Sequence, residues 1–355
     1  MKIAMVVGLY PNQIGGAEMQ AREIAMALQA QGHSVYYICY SPKYYSSEEY
    51  EVHIIPTRTK YDVFYWGVKR NLDKSLEEIH PDVVYHRAFV PYSRFIARWC
   101  VKNRVPFYFH CADIYTLIRK NDSLYNMIQN KWLKYTLNNA TGVICQNKEQ
   151  YEALQKYNLR RLEIIYNIQR INQQLVNSNK QKEIIWVAKF EPAKQPEIFV
   201  ELAERFSGSD LIFTMFSSKC PQTEVNEQLL TRIKSNPRIT LVNGKDNKFI
   251  NSYLCSNAAV LVNTSVSEGI SNTFIQAWMR GVPVVSLNSN PDNWFDKNSI
   301  GACCNGDRNK LAASIARILD EKNYKYYSSK SIEFAESNFS PEKITPRLLN
   351  FMHLN

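Results

Sequence analysis

Short apolar runs alternate along the chain with stretches of helical period, and this alternation predicts the architecture. In the first half the runs lie at 2–8, 34–39, 82–85, 106–109 and 142–145; in the second they lie at 183–188, 211–216, 239–242, 258–262 and 283–285. Such runs, rich in Val, Ile, Tyr and Phe, suit strands covered on both faces, as a parallel sheet requires. Between them 17–31, 92–102, 121–139, 148–156, 196–206 and 307–321 read as helices, the first with Met19, Ile24, Ala25, Ala27 and Leu28 as its apolar positions. A succession of βα units of this kind predicts an α/β fold of two doubly wound domains. The Asn- and Gln-rich stretch 171–182 reads as a linker between a first domain over 1–170 and a second over 183–340. The tail 324–354 reads as helical apart from a break at Ser340-Pro341.

The stretch 258–287, AAVLVNTSVSEGISNTFIQAWMRGVPVVSL, organises the second half. A buried strand leads into a polar loop over 263–269. Ser271 or Asn272 then caps a helix whose apolar residues Phe274, Ile275, Ala277, Trp278 and Met279 leave its polar ones on another face. Arg280-Gly281 ends the helix, with Gly281 suited to a left-handed position, and 283–285 begins the next strand. The loop therefore lies at the carboxyl edge of a sheet, where doubly wound proteins bind ligands. Glu268 precedes Gly269, and the N–H groups that follow offer a helix start to an anion. By itself the loop is equally compatible with a solvated acid at 268 and a surface Gln276.

Three further turns carry candidate chemistry. Gly15-Gly16 at a helix start lets backbone approach a phosphate or sugar, or simply makes a tight turn. Lys189 and Lys194 flank a strand-to-helix turn and can hold a diphosphate from two sides, though isolated turn lysines are often just exposed. His110 and Asp113 follow the strand 106–109 and are placed to face a cleft; a histidine bonded within its own loop is the plainer alternative.

At 355 residues with 45% apolar content, the chain is long enough for two cores. No run approaches the roughly 20 apolar residues of a membrane span, and 3–9 is only strand length, so no secretory signal is expected. Eight scattered cysteines, at 39, 100, 111, 145, 220, 255, 303 and 304, read as buried thiols of a reducing cytoplasm. The remaining histidines, at 33, 53, 80, 86 and 353, show no metal-ligand spacing. Of the net charge of +10, most is N-terminal: 22 Lys and Arg stand against 15 Asp and Glu up to residue 175, and 21 against 18 beyond it. Such a half suits an anionic membrane or substrate, or diffuse solubility; no nucleic-acid motif accompanies it. The glycines do not form the dinucleotide fingerprint and no acid ends the second strand, which weakens a dehydrogenase reading.

Glu268, seven residues and Gln276 resemble the donor-binding signature of retaining nucleotide-sugar glycosyltransferases of family 4, in which two Glu so spaced meet the sugar and the ribose. Gln276 replaces the second Glu and can bond a ribose diol only without charge assistance. The family carries a similar Gly-Gly where Gly15-Gly16 stands. It has Arg and Lys at the places of Lys189 and Lys194, after a Gly that is Ala188 here. Lys189 keeps the charge but loses the bidentate fork. A family His near the donor sugar makes His110 the expected active-site imidazole, with Asp113 an acceptor contact. Gly244-Lys245 would meet the nucleobase, and the backbone of Gly269, Ile270, Ser271 and Asn272 the donor phosphates. The segment 164–167 fills the place of a closing strand without the family's Pro and Gly.

The resemblance spans nearly the whole chain. It implies a GT-B fold, two Rossmann-like domains facing a central cleft, with the acceptor on the first, the donor on the second, and the helix 341–355 packed back on the first. The implied reaction is hexosyl transfer with retained configuration from a nucleoside-diphosphate sugar to a glycan or lipid-linked glycan. Surface polysaccharide or lipopolysaccharide synthesis is the implied setting, with no metal or further cofactor. A cytoplasmic protein, free or at the inner face of the membrane, follows. Two other functions stay open: a nucleotide-sugar 2-epimerase of the same fold, which Gly15-Gly16 and the two lysines suit less well, and a catalytically silent sugar-nucleotide-binding subunit that has lost the second acid.

Overall fold

The computed structural model describes residues 1–56, 62, 64–170, 182–218 and 224–354. The predicted linker lies outside the described residues except for Lys182, as does Cys220. Contacts divide the chain into two compact units, Met1–Ile168 with Pro341–Asn355, and Gln169–Ser340.

The first unit runs β1 (Lys2–Val6), α1 (Gly16–Ala30), β2 (Ser34–Ser41), β3 (Glu51–Pro56), α2 (Trp66–Ile79), β4 (Val83–Arg87), α3 (Ser93–Asn103), β5 (Phe107–His110), α4 (Leu124–Asn138), β6 (Gly142–Cys145), α5 (Lys148–Leu154) and β7 (Leu162–Ile164). Its sheet is parallel throughout, in the order β3-β2-β1-β4-β5-β6-β7. The strands of uninterrupted apolar sequence sit centrally, and β4, β5 and β6 are buried at every residue. The edge strand β3 and the helix α2 are additions to the predicted set. In β3, EVHIIP, polar residues break the apolar run and only one of the six residues is fully buried, so only its pairing with β2 reveals it. The closing strand β7 lies two residues ahead of 164–167.

The second unit runs β8 (Glu183–Val187), α6 (Pro196–Arg205), β9 (Ile212–Ser217), α7 (Glu224–Ser235), β10 (Ile239–Asn243), α8 (Asn247–Ser256), β11 (Ala258–Asn263), α9 (Asn272–Trp278), β12 (Val284–Ser286), α10 (Trp294–Asn298), β13 (Gly301–Cys303), α11 (Arg308–Leu319) and α12 (Glu321–Phe339). Its parallel sheet has the order β10-β9-β8-β11-β12-β13. The amphipathic pattern predicted for α9 is corrected: Phe274, Ile275, Gln276, Ala277 and Trp278 are all buried. Aromatic neighbours cover the helix on several sides. The Trp278 ring lies 5.7 Å from both Phe274 and Phe295, 5.4 Å from Phe334 and 6.2 Å from Trp294. Gly281, at φ +65°, turns the chain out of the helix in the left-handed conformation that other residues adopt only with strain.

After α12 the chain returns to the first unit as α13 (Pro341–Met352), which packs on α1. The Tyr108 hydroxyl donates to the Met352 carbonyl at 3.0 Å and its ring lies 5.9 Å from Phe351. Gly142 makes this possible, since a Cβ there would stand 2.7 Å from the Phe351 ring.

The first unit also encloses two neutral histidines. His86 donates from Nδ1 to the Val6 carbonyl at 2.6 Å, and Ser93 meets its Nε2 at 2.7 Å. Burial lowers its pKa from 6.5 to about 4, and lowers that of His110 well below 6.5 with help from the charge of Arg87. Both folded values lie below the unfolded one. Their stabilisation is thus complete above pH 6.5 and is lost as pH falls towards the folded values. With two protons taken up on unfolding, stability should fall by up to about 2.7 kcal/mol per pH unit below pH 6. Urea midpoints measured between pH 6.5 and 5 should track this slope; a flat profile contradicts the neutral pair.

Candidate functional site

In the second unit strand order reverses between β8 and β11, with β9 and β10 to one side and β12 and β13 to the other. Loops leaving the carboxyl ends of such a pair form the crevice where doubly wound sheets bind ligands. The loop after β8 carries Lys189 and the short 3-10 turn Pro192–Lys194; the loop after β11 carries Glu268. Hydrogen bonds tie the two together. The Trp186 indole N–H donates to Thr264 Oγ1 at 2.9 Å, the Thr264 hydroxyl donates to the Lys194 carbonyl at 2.6 Å, and Val266 N–H donates to the Ala193 carbonyl at 2.9 Å.

On this frame the Lys194 ammonium meets the Glu268 carboxylate, with the two side chains 25% and 20% exposed. Glu268 Oε1 also accepts from the Ser265 hydroxyl at 2.9 Å, and Glu268 N–H donates to Ser289 Oγ at 2.7 Å. Asn288 Nδ2 holds the Ser265 carbonyl at 2.8 Å. Glu268 is therefore a fixed group in this structure, not a freely solvated loop acid. The structure does not bring the second lysine to it: Lys189 is exposed, with Nζ 3.9 Å from Glu191. Thr264, Ser265, Asn288 and Ser289 were not anticipated as parts of this arrangement. A Thr-Ser pair between a strand and an acid is the only hint that the sequence offers.

Gln276 lies inside the unit, 1% exposed, and donates from Nε2 to Asn247 Oδ1 at 3.3 Å. Among the described residues no hydrogen-bond donor meets its buried carbonyl oxygen or that of Asn263. Buried acceptors left in this state are costly and ready for a donor. Ile270 is buried, and Ser271 precedes α9 in an extended conformation without a side-chain capping bond, its hydroxyl lying 2.8 Å from that of Thr273. Gly269 and Asn272 flank them. Gly244, at φ +69°, follows β10; Lys245 lies over the Phe249 ring at 4.8 Å, and with Asp246, Lys248 and Ser252 these residues line a shallow depression.

In the first unit Gly15 precedes Gly16, the first residue of α1, in an extended conformation, and the Glu18 carboxylate lies against it, where a Cβ on Gly15 would stand 2.2 Å from Oε2. Asp113 is committed to a local turn: its carboxylate accepts from the Thr116 N–H at 2.8 Å and from its hydroxyl at 3.0 Å. His110, expected to face a cleft, is instead enclosed at 1% exposure. The Tyr85 hydroxyl meets its Nδ1 at 2.8 Å, and Arg87 Nη1 lies 3.0 Å from Nδ1 and 3.1 Å from Nε2. Arginine only donates, so the ring presents a lone pair and is neutral. Arg87 Nη2 donates to Asn167 at 2.8 Å. No group of three His, Cys, Asp or Glu suited to a metal ion occurs among the described residues. The seven described cysteines are buried thiols, and no disulfide joins any two of them.

These features define an α/β protein of the GT-B type. Residues 14–168 match the family described as Glycosyltransferase Family 4, and residues 181–321 that described as Glycosyl transferases group 1. With one match on each unit, the chain belongs to the GT-B glycosyltransferases of these families. No curated protein matches the sequence. Among solved structures, the chain is similar to sucrose-phosphate synthase from Thermosynechococcus elongatus at 14% identity and TM-score 0.77, covering 99% of this chain and 98% of that one. It is similar to Anabaena HepE in complex with UDP-glucose at 14% identity and TM-score 0.78, covering 99% of each. A mutant of S. aureus TarM in complex with fondaparinux, alpha-GlcNAc-glycerol and UDP is 12% identical with TM-score 0.78, again over 99% of each.

Thr264 should hold the two loops together. Thr264→Val keeps the shape but leaves the buried indole N–H and the Lys194 carbonyl without partners, at a cost of about 2 kcal/mol or more. Denaturant unfolding of the variant checks this; a change under about 0.5 kcal/mol, the range of ordinary surface substitutions, would show that the bonds do not hold the loops.

Proposed function

We propose that the chain transfers a hexosyl group, with retained configuration, from a UDP-sugar to a hydroxyl of a glycan or lipid-linked glycan in surface polysaccharide synthesis. The observation that carries the reading is the Lys194–Glu268 contact at the strand-order reversal, in the same unit as the unsatisfied carbonyl oxygen of Gln276. A donor diphosphate brings more negative charge to Lys194 than Glu268 does. It would draw the ammonium to the leaving group and release the carboxylate to accept hydrogen bonds from sugar hydroxyls. Gln276 would accept from a ribose hydroxyl, completing its buried oxygen.

The other roles follow from chemistry and placement. Backbone N–H groups from Gly269 to Asn272 meet the phosphates, and the exposed Lys189 swings to them on its flexible stem. The depression at Gly244-Lys245 takes the base. Gly15-Gly16 allows backbone to approach the donor. His110 contributes as a neutral hydrogen-bonding group, because Arg87 disfavours a second positive charge beside it. As the bond from the anomeric carbon to the diphosphate oxygen breaks, the acceptor oxygen bonds that carbon from the same face and its proton passes to the departing diphosphate. Lysine and backbone N–H groups balance the developing charge without a metal ion. The HepE and TarM complexes, which hold UDP-glucose and UDP with alpha-GlcNAc-glycerol, favour UDP-sugars as the first donors to try.

Thermal stabilisation by UDP, GDP, ADP and CMP sugars, without added metal, tests the reading. The UDP series should stabilise by about 2.7 kcal/mol at a hundred times its dissociation constant. Lys194→Ala should weaken that binding about tenfold or more, the loss of one charged hydrogen bond. No shift with any series overturns the donor site. Binding with no transfer to any glycan acceptor makes the chain a silent binding subunit instead.

A further inference from the structure

In the first unit α3 and α4 pack side by side, and neither contains an Asp or Glu. Between them they carry Arg94, Arg98, Lys102, Lys131 and Lys134. The buried side of α4 is formed by Gln129, Leu133, Thr136 and Leu137. At 100° per residue, Leu124, Met127, Lys131, Lys134 and Tyr135 fall on its outward side. They are all exposed, Leu124 by 73%, and Tyr125 beside them by 65%.

Arg94 extends this surface. Its guanidinium lies 3.6 Å over the Trp132 ring of α4 and 4.2 Å over Phe95 of α3, and donates to the Phe64 carbonyl at 2.8 Å. Phe64 and Trp66 are each 60% exposed, and Trp66 packs on Phe95 at 6.1 Å. Large apolar side chains thus alternate with cations over a face to which α3 and α4 contribute no acid; the carboxylates beside it are engaged locally, Asp62 by the Trp66 N–H at 2.7 Å and Asp122 by the Asn126 amide at 2.6 Å. Exposed Leu, Met, Phe and Trp in such number mark a binding surface. An acidic polymer would use the cations but leave the Leu and Met side chains in water. A lipid surface uses both, taking the apolar groups among its acyl chains and the cations at its anionic headgroups.

We propose that this α3–α4 face, with Phe64 and Trp66, docks the chain on an anionic lipid bilayer. The reading of a lipid-linked acceptor gives the docking its purpose, and the test does not depend on that reading. The full chain, without donor or acceptor, is sedimented with vesicles of phosphatidylcholine alone and of phosphatidylcholine mixed with phosphatidylglycerol, with a soluble polyglutamate as control. Binding is expected to the mixed vesicles, falling with added salt. Lys131→Glu/Lys134→Glu and Leu124→Ser/Trp66→Ser should each weaken it about tenfold or more while UDP-sugar stabilisation is unchanged. No binding to mixed vesicles, or binding that both double variants retain, overturns the proposal. Equal binding to polyglutamate, lost only with the lysine pair, assigns the face to an acidic polymer and also overturns it. Failure of the vesicle arm with intact UDP-sugar stabilisation leaves the transferase reading standing, and the reverse pattern leaves the docking surface standing.

Discussion

The contact between Lys194 and Glu268 ties the chemistry of the second unit to its fold. The ammonium and the carboxylate come from loops that follow the two neighbouring strands at which the sheet reverses its order. They are placed by groups beneath them: the buried Trp186 indole, the Thr264 hydroxyl and the Lys194 backbone carbonyl form a relay from the sheet to the loop. A surface ion pair contributes little stability, and this one, about a quarter exposed, is no large exception. Its value lies in position. Each charge occupies the other, so that neither is left to seek an arbitrary partner, and a ligand of higher charge can exchange one for the other without moving the backbone.

The first unit handles charge differently. Arg87 is 3% exposed, bonded to His110 and Asn167, and among the described residues no carboxylate lies within ion-pair distance of it. A buried guanidinium cannot shed its proton, so its field acts on what surrounds it. The imidazole of His110 is kept neutral by that field and by its own burial. One unit thus pairs its cation and the other leaves it unpaired, at sheet edges of the same kind.

Much of this was legible in the sequence, for identifiable reasons. Central parallel strands announce themselves because both faces are covered, so 142–145 and its counterparts needed no partner to be recognised. The edge strand at 51–56 did not, because half-burial permits charge within the run and only pairing with its neighbour defines it. Glu268 and Lys194 could be named from their places after strands, but not their contact, which depends on Thr264 and Ser265. Gln276 was legible as a residue and not as an environment: local period put it on a polar face, while α8 and α12, distant in sequence, pack against α9 and bury it. His110 was likewise legible as a residue and not as an environment, since Tyr85 and Arg87 enclose it from another strand.

The return of α13 to the first unit divides that unit between two parts of the chain about 170 residues apart in sequence. Tyr108 and Gly142 meet Met352 and Phe351, so the core around them is incomplete until those residues have been made. At the usual rate of 5–20 residues per second, translation of the intervening unit takes roughly 10 to 30 s. During that time the second unit has its whole sequence before the first does. On the ribosome the domain that begins first is therefore the one that finishes last, and its exposed core face is the part of the molecule that a chaperone would have cause to hold.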